Sequence, residues 1–241
     1  MNHLLSPERD PMGAAIYEYY TKGKASKLRV RSSMFEEDEI PVATLFRKWE
    51  EMSALEQTAL NECRGRILDV GAGSGCHSLV LKGMQKDVMG IDISSYSVTV
   101  MKEQGLKAEQ RNLFDSQFTD QFDTILMLMN GSGIIGKVEN MDRFFARVKE
   151  LLRPGGQILM DSSDLRYLYE DEDGSFLIDL NADYYGEVDY KMVYKRMQGD
   201  RFDWLYVDFD TLRFYANKNG FHAEKIFKGE HYDYLARLHK L

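Results

Sequence analysis

A glycine-rich turn follows the first strongly apolar run of the chain and could do chemistry. It reads DVGAGSG over residues 69–75, with glycines at alternate positions. Without side chains there, the backbone can bend sharply and lie directly against a ligand. A helix predicted from about Cys76 to Gly83 would turn unpaired N–H groups and a partial positive charge toward that ligand. Tight turns before helices also need glycine for structural reasons, so the turn alone leaves both interpretations open.

An acidic residue about 21 positions beyond Gly71 favours ligand binding. Asp92 closes a second apolar run, Val88-Met89-Gly90-Ile91. A strand–turn–helix–strand unit that ends in an acid at this distance is typical of a nucleotide site on a parallel sheet. The carboxylate can accept hydrogen bonds from both hydroxyls of a ribose. Asp92 could instead cap the next helix, but Ser94 can take that role and leave Asp92 available.

Polar side chains also follow two later strands, at the edge where open α/β sheets place their chemistry. Asn130 follows a continuous apolar strand predicted from Phe122 to Met129. Asp161 and Asp164 follow a strand predicted from Gln157 to Met160. These acids could serve as a base, as metal ligands or as caps of the next segment, and capping is favoured. Asn130, Asp161 and Asp164 are therefore only weak candidates for catalysis.

Composition excludes several classes of protein. The chain has 241 residues, of which 44% are hydrophobic and 29% charged, as in a globular protein with a sizeable core. Its net charge of −8 argues against long nucleic acid as a partner, because phosphate binding depends on clustered Lys and Arg. Neither the two cysteines nor the five histidines have metal-binding spacing. Without an apolar signal core or a long apolar run, we expect a cytoplasmic protein with no membrane partner and no metal.

The elements that must position these residues follow from the hydrophobic pattern. Strands are predicted at 66–70, 88–91, 107–110, 122–129 and 157–160, with helices between them. One such helix, Met141 to Leu152, has a single apolar face. Another runs from Asp210 to Asn219, and a closing antiparallel pair follows at 221–227 and 232–238. Alternating strands and helices predict an α/β fold.

Two regions fall outside this pattern. Upstream, a helical pattern opens at Pro41, and a second helix begins after Ser53, with Glu56 completing a capping box. Downstream, residues 165–207 form an insertion in which alternating residues predict an antiparallel strand pair turning at Gln198-Gly199-Asp200. The tyrosines of this pair (Tyr184, Tyr185, Tyr190 and Tyr194) could line a pocket or pack beneath it.

Taken in order, several runs resemble the class I S-adenosylmethionine-dependent methyltransferases. They are ILDVGAGSGCHSLVL, GIDIS, NLFD, FDTILMLMN and LLRPGGQIL, within residues 66–161. The resemblance implies a Rossmann-like, doubly wound, mostly parallel seven-stranded sheet with an antiparallel C-terminal strand. It also implies a helical lid in residues 1–40, a methyltransferase domain over 41–241, and a β-flap insertion at 165–207.

The resemblance further implies which residues bind the cofactor, S-adenosyl-L-methionine. They are Asp69, Gly71, Ala72, Gly73, Gly75, Asp92, Ile93, Asn112, Leu113, Met129 and Asn130. Asp69 would serve the ammonium of the methionine moiety, and Leu113 would offer its backbone N–H to the adenine ring. Asn112 stands where many members carry an aspartate that binds the adenine amino group. A plain Asn turn is the alternative for Asn112.

We expect, from the resemblance, a methyltransferase that acts on an unidentified small molecule. The sequence after Met129 is neither Asn-Pro-Pro-aromatic nor Pro-Cys, which argues against two classes of nucleobase methylation. An NAD(P)-dependent oxidoreductase is one alternative, because Gly71-x-Gly73-x-x-Cys76 nearly meets the dinucleotide pattern. Against it, dinucleotide-binding strands usually carry an apolar residue where Asp69 stands. A non-catalytic module that binds S-adenosylmethionine is the other alternative, and the sequence does not indicate an oligomeric state.

Overall fold

The computed structural model describes residues 4–169 and 183–241. Its α-helices are α1 (Pro11–Lys22), α2 (Ala54–Glu62), α3 (Cys76–Gly83), α4 (Ser95–Glu103), α5 (Met141–Leu151) and α6 (Phe209–Lys218). Its strands are β1 (Leu28–Arg31), β2 (Asp38–Ile40), β3 (Arg66–Val70), β4 (Asp87–Asp92), β5 (Lys107–Gln110), β6 (Phe122–Met127), β7 (Leu152–Ser163), β8 (Glu187–Tyr194), β9 (Met197–Leu205), β10 (Phe221–Lys228) and β11 (Asp233–Lys240).

Seven of these strands form the main sheet, in the order β10-β11-β7-β6-β3-β4-β5. The five strands from β7 to β5 in this order pair in parallel, whereas β11 runs antiparallel to both β7 and β10. The carboxyl ends of the parallel strands therefore meet along one edge. The predicted mostly parallel seven-stranded sheet with an antiparallel C-terminal strand is confirmed.

The core lies on both faces of this sheet. Ile125 of β6 packs in a cluster with the apolar face of α5, including Phe144 and Phe145. Its neighbour Leu126 points to the other face and packs in the cluster that contains Leu60 of α2. Because successive side chains of a strand alternate between faces, a strand covered on both sides needs apolar residues in succession, as β6 has from Ile125 to Met127.

A second sheet joins the N-terminal segment to the insertion, with the order β2-β1-β8-β9. β1 pairs antiparallel with β8, placing Leu28 opposite Tyr194. On this sheet α1 buries Ala15 in a cluster with Leu28 and Tyr194. Ion pairs at the surface also link the two segments, among them Lys27, just before β1, with Glu39 of β2 at 2.8 Å. The N-terminal residues and the strand pair of the insertion thus share one sheet.

The segment upstream of α2 differs from the prediction of a single helix. It forms two 3₁₀ helices, Val42–Phe46 and Trp49–Glu51. Between them Arg47 is extended, with ψ 143°. The hydroxyl of Ser74 donates to the carbonyl of Leu45, and a contact from so distant a part of the chain leaves no local signal. The next helix, α2, begins with the predicted capping box of Ser53 and Glu56.

The turn between β8 and β9 also differs from the prediction at Gln198–Asp200. The chain reverses through two residues, the first being Lys195 with φ +54°, and Tyr194 pairs with Met197. A two-residue hairpin turn favours positive φ, which normally selects Gly or Asn. The nearby Gly199 has another role, since a Cβ there would lie 3.2 Å from Pro11.

Among the described residues, no helix combines the length and the apolarity needed to cross a membrane.

Candidate functional site

The glycine turn between β3 and α3 lies on the carboxyl edge of the main sheet. Its three glycines all have positive φ, of 68°, 56° and 84°, which side chains disfavour. The backbone N–H of Gly71 donates to the carbonyl of Ile91, fixing the turn to β4. A Cβ on Gly71 would lie 3.0 Å from Ile134, and one on Gly73 would face Ile16 at 3.9 Å. The turn can therefore present bare backbone to a ligand between these two side chains.

Asp92 stands beside this turn at the end of β4. One carboxylate oxygen accepts from the N–H of Gly73 and the other from the N–H of Ser94, both at 2.8 Å. Ser94 caps α4 through its hydroxyl, which accepts from Ser97 N at 3.0 Å, as predicted. Burial raises the pKa of Asp92 to about 6. Each carboxylate oxygen has a second lone-pair site for hydroxyl donors.

Asp69, at the end region of β3, is only 2% exposed. Its carboxylate accepts from the hydroxyl of Ser78 on α3 at 2.7 Å, and burial raises its pKa. The side chain thus lies behind the glycine turn, bonded to the helix that follows the turn. Asp69 thus lies at the glycine turn, as expected, but its side chain is on the buried side of the turn's backbone.

Asn112 and Leu113 follow β5 and lie next to Asp92, because Arg111 N donates to the Asp92 carbonyl at 2.8 Å. The side-chain oxygen of Asn112 accepts from the N–H of Phe114 at 2.9 Å, so the Asn turn is present. Amide oxygens have two lone pairs, so a second donor still has a place there. The Leu113 side chain is buried, and its carbonyl accepts from Arg147 Nε at 2.8 Å.

The N-terminal segment reaches this same edge, a contact that the sequence analysis missed. Leu5 N donates to the carbonyl of Ile93 at 3.0 Å. Asp10, 1% exposed, caps α1 through Gly13 N and accepts from the Ser94 hydroxyl. The Asp10–Pro11 dipeptide was the available signal, since aspartate followed by proline is a common helix start. The helix α1 is therefore attached beside the end of β4.

The backbone after β6 is bent sharply at Met129 and Asn130, both with left-handed φ, of 65° and 57°. Such conformations cost non-glycine residues energy and need support from their surroundings. Asp161 supplies it, accepting from Asn130 N at 3.0 Å and Gly131 N at 2.8 Å. The hydroxyl of Ser163 donates to Asn130 Oδ1 at 2.9 Å. Burial raises the pKa of Asp161 to about 6.

Only one of the two acids predicted to cap the segment after β7 does so. Asp164 accepts from Arg166 N at 3.0 Å and caps the 3₁₀ helix Leu165–Tyr169. It also accepts from the Tyr185 hydroxyl at 2.8 Å. Asp161 instead holds the start of the 3₁₀ helix Gly131–Ile135, because β7 extends beyond it to Ser163. For Asp161 the expectation that it caps the segment after β7 was wrong.

The tyrosines of the insertion separate into two groups. Tyr194 donates to Glu18 of α1 at 2.8 Å and belongs to the packing beneath that helix. Tyr184 donates to Asp208 at 2.6 Å, and the hydroxyls of Tyr190 and Tyr206 lie 2.9 Å apart. Tyr194 therefore meets both interpretations, because it packs beneath α1 and also lines a cavity of about 350 Å³ beside that helix.

A cavity of about 300 Å³ opens at the carboxyl ends of β6 and β7. Its lining includes Arg47, Ser53, Asn130, Asp161, Ser163 and Asp233. A buried network forms one wall, in which Glu56 accepts from Arg47 and lies 2.8 Å from His77 Nε2. Arg47 was not among the site residues predicted from the sequence. Among the described residues, no group of three or more potential ligands could hold a metal ion.

The carboxyl edge of the main sheet carries the hydrogen-bonding groups that an adenosine-containing cofactor requires. The glycine turn offers bare backbone, Asp92 offers acceptors for hydroxyl groups, and Asn112 offers an amide within the same strip. The cavity begins where this strip ends, at Met129 and Asn130. These residues fit S-adenosylmethionine, with the cavity left for a second molecule.

Comparisons with known proteins agree with this geometry. A family model described as a methyltransferase domain matches residues 62–208. The crystal structure of an S-adenosylmethionine-dependent methyltransferase from Bacteroides fragilis, in complex with S-adenosyl-L-homocysteine, is 62% identical. The match covers 100% of this chain and 99% of that chain, with a TM-score of 0.94. A search of curated proteins gave no match.

More distant structures share the fold. The PH0226 protein from Pyrococcus horikoshii OT3 is 20% identical, over 78% of this chain and 88% of its own, with a TM-score of 0.56. CalS10, an amino pentose methyltransferase from Micromonospora echinaspora with S-adenosylmethionine bound, is 15% identical over 77% and 87%, with a TM-score of 0.52. The family match and the 62%-identical structure show that this chain belongs to the S-adenosylmethionine-dependent methyltransferases and that S-adenosylmethionine is its cofactor.

Proposed function

We propose that the methyl acceptor of this enzyme is a small molecule that binds at the carboxyl ends of β6 and β7. The observation that carries this proposal is the cavity of about 300 Å³ at that edge, a volume within the usual range for small-molecule sites. Its wall of hydroxyl, amide and carboxylate groups suits a polar acceptor. The net charge of −8 supports the expectation that nucleic acid is not the acceptor.

For the cofactor we propose the strip along the ends of β3, β4, β5 and β6. Asp92 accepts the ribose hydroxyls, and Asn112 with Leu113 binds the adenine. Asp69, through the backbone it supports, serves the methionine end. The full set is Asp69, Gly71, Ala72, Gly73, Gly75, Asp92, Ile93, Asn112, Leu113, Met129 and Asn130. The support is that contacts between Gly73, Asp92 and Arg111 join these segments into one surface.

The bound cofactor supplies an activated methyl group on a sulfonium. The work left to the protein is to hold the acceptor in line and exclude water, and positioning of this kind can supply roughly 7–11 kcal/mol. In this proposal the Met129–Asn130 bend forms the meeting point of the two ligands. Asp161 and Ser163 hold that bend in place by the contacts described above.

A general base is needed only for an acceptor whose proton must leave. Both oxygens of Asp161 already accept backbone N–H groups, and Asp164 caps a 3₁₀ helix. We therefore assign both acids positioning roles and leave Asn130, held by Ser163, as the polar side chain nearest to the proposed methyl position.

We also propose that residues 1–40 form a lid on a domain of residues 41–241, with residues 165–207 as the flap. Pairing of β1 with β8 supports a joint lid and flap, and the contact of Asp10 with Ser94 supports its attachment beside the cofactor strip. A cytoplasmic location stays a prediction, supported by two buried free cysteines.

A transfer experiment tests the proposed acceptor class. The purified enzyme is incubated with methyl-labelled S-adenosylmethionine and a cell extract, which is then separated into small molecules and macromolecules. We expect label in the small-molecule fraction, at a rate that falls in Asp92→Ala. Label confined to protein or nucleic acid would refute the small-molecule proposal. The absence of label from both fractions would favour a non-catalytic binding module.

A further inference from the structure

The cavity of about 350 Å³ beside α1 lies apart from the proposed acceptor cavity. It is bordered by α1, by the first turn of α4 and by the turn between β8 and β9. Among the described residues, the two cavities have no lining residue in common. Because its volume is within the usual range for small-molecule sites, this cavity is a separate place for a ligand.

Aromatic rings form one wall of the cavity beside α1. Tyr17 of α1 and Tyr96 of α4 both line it, with their ring centroids 5.6 Å apart and their planes tilted by 39°. Both residues are half-buried, so neither ring is covered completely by the protein. Met197 of β9 adds a thioether, a group that makes favourable contacts with aromatic rings. The wall therefore suits a flat aromatic ligand.

The charged groups of the same cavity leave an excess of positive charge. They are Glu18, Lys22 and Lys195. The carboxylate of Glu18 accepts from Lys195, from Lys22 at 3.4 Å and from the hydroxyl of Tyr194 at 2.8 Å. An ammonium group has three N–H donors, so each lysine keeps donors that Glu18 does not use. Two ammonium groups beside one carboxylate make the lining positive, in a chain whose net charge is −8.

We propose that this cavity binds a small aromatic carboxylate. The ring of the ligand packs against Tyr17, Tyr96 and Met197. Aromatic pairs prefer offset-stacked or edge-to-face contacts, and two tilted tyrosine rings can offer both. The acid group of the ligand accepts charge-assisted hydrogen bonds from Lys22 and Lys195. The site uses none of the residues assigned to the cofactor or to the acceptor cavity, so it goes beyond the proposed function.

The position of this site connects it to the cofactor strip. A ligand there contacts α1 through Tyr17 and α4 through Tyr96 at the same time. Ile16, the neighbour of Tyr17, lies 3.9 Å from the place of a Cβ on Gly73 of the glycine turn. The ligand therefore holds against α4 the helix that also borders the glycine turn, and it should slow hydrogen exchange in both helices.

Calorimetry with three probes tests the class of ligand. Benzoate has the ring and the acid group, benzamide has the ring without the charge, and acetate has the charge without the ring. We expect benzoate to bind while S-adenosylhomocysteine is present at saturation, because the two ligands occupy different sites. Benzamide should bind about 2- to 30-fold more weakly, as the loss of two partly exposed ion pairs predicts, and acetate should show no measurable binding.

Two variants locate the site, each with a matched control. Tyr96→Ala removes one ring of the wall, and Phe214→Ala removes a ring of α6 that is 63% exposed. Lys195→Asn removes one cation, and asparagine suits the left-handed φ of 54° at this turn position. Its control is Lys218→Asn, which also breaks a lysine ion pair, that with Asp142, but lies outside the cavity.

We expect Tyr96→Ala and Lys195→Asn each to weaken benzoate binding about 2- to 10-fold, with both controls like the wild type. All four variants should keep the wild-type affinity for S-adenosylhomocysteine. The proposal is overturned if benzoate does not bind, if S-adenosylhomocysteine displaces it, or if benzamide or acetate binds as tightly. Equal losses in the controls, or slowed exchange confined to the ends of β6 and β7, would also overturn it, because benzoate would then lie elsewhere.

Discussion

Asp92 connects three parts of the proposed cofactor site, two through its carboxylate and one through its backbone carbonyl. It accepts from the glycine turn through Gly73 and from the start of the next helix through Ser94. Through its backbone carbonyl it also bonds the segment after β5. Aspartate can do this because its short side chain offers up to four lone-pair sites. A change at this residue should therefore affect both the local fold and the ligand.

We predict that Asp92→Ala loses most of the affinity for S-adenosylhomocysteine. The ribose hydroxyls would lose acceptors on a charged group, and each such hydrogen bond contributes about 1.5–3 kcal/mol. With water taking the place of the carboxylate, we expect a loss of about 2–4 kcal/mol, or roughly 30- to 1,000-fold, by calorimetric titration.

Ser94→Ala is the control for this variant, because it removes the cap of α4 and the hydroxyl donor to Asp10 but leaves the carboxylate of Asp92. The lost cap costs about 1 kcal/mol, and the buried Asp10 left without that donor costs about 1–3 kcal/mol more, while S-adenosylhomocysteine should still bind almost normally. If Asp92→Ala showed the same pattern, a lower melting temperature with unchanged affinity, Asp92 would have only a structural role.

The pKa of Asp92 predicts a pH dependence of binding. Burial raises this pKa from 3.8 to about 6, so the folded protein without ligand holds the proton more tightly than the unfolded chain does. Ionisation of Asp92 between these two values therefore lowers the stability of the ligand-free protein as pH rises. Ribose hydroxyls that donate to the carboxylate favour its ionised form. We expect S-adenosylhomocysteine affinity to increase as pH rises through about 6.

Asp92→Asn cannot ionise and is the control for the pH series. Its affinity should be lower and nearly independent of pH over the same range. A wild type whose affinity falls with rising pH would show that the ligand prefers the protonated carboxyl, which contradicts the proposed contact with the ribose hydroxyls.

Among the secondary-structure elements, the sequence predicted the helices and strands whose hydrophobic pattern is local. The alternation of apolar strands and amphipathic helices places β3, α3, β5 and α5 within a residue or two of their observed bounds. The 3₁₀ helices before α2 were missed, because a hydrogen bond from Ser74 to Leu45 comes from a distant segment. Gly199 misled the prediction of the hairpin turn, since it lies within β9 and packs closely on Pro11, where a Cβ would be 3.2 Å away.

The strand β1 allows a test of the sheet that joins the N-terminal segment to the insertion. It lies between β2 and β8, so Leu28, Arg29 and Val30 each face a partner strand on both sides. Proline lacks the N–H donor and is tolerated only at the edges of sheets. We predict that Val30→Pro accelerates hydrogen exchange throughout β8, while β3 and β6 of the main sheet keep their protection.

Arg29→Ala is the matched control on the same strand. It removes an exposed ion pair with Glu37, of 3.4 Å, and keeps every backbone donor. Its exchange pattern should match that of the wild type. Equal loss of protection in β8 and β3 of Val30→Pro would contradict the prediction, since it would mean that the two sheets unfold as one unit.

For the whole molecule, the mostly parallel sheet with its antiparallel C-terminal strand and the cofactor class were predictable from the family resemblance, whereas the contacts that close the site were not. Asp92 was found because its spacing from the glycine turn is set within one strand–helix–strand unit. Asp10 contacts Ser94 across 84 positions, and Glu56 contacts His77 across 21. Contacts of this kind depend on how distant segments pack, for which one sequence offers no periodic signal.

The resulting molecule places a nucleotide-type strip and a polar cavity side by side on one edge of the main sheet. The second sheet brings the N-terminal segment and the insertion together near this edge. The central claim is that the cofactor lies along the strip from Asp92 to the Met129–Asn130 bend, with the acceptor in the cavity beyond it.

A crystal structure of this protein with S-adenosylhomocysteine tests that claim most directly. We predict both ribose hydroxyls within hydrogen-bond distance of the Asp92 carboxylate, and the adenine beside Asn112 and Leu113. The sulfur should lie against the Met129–Asn130 bend, facing the cavity. A ligand whose ribose makes no contact with Asp92, or whose sulfur points away from the cavity, would contradict the account.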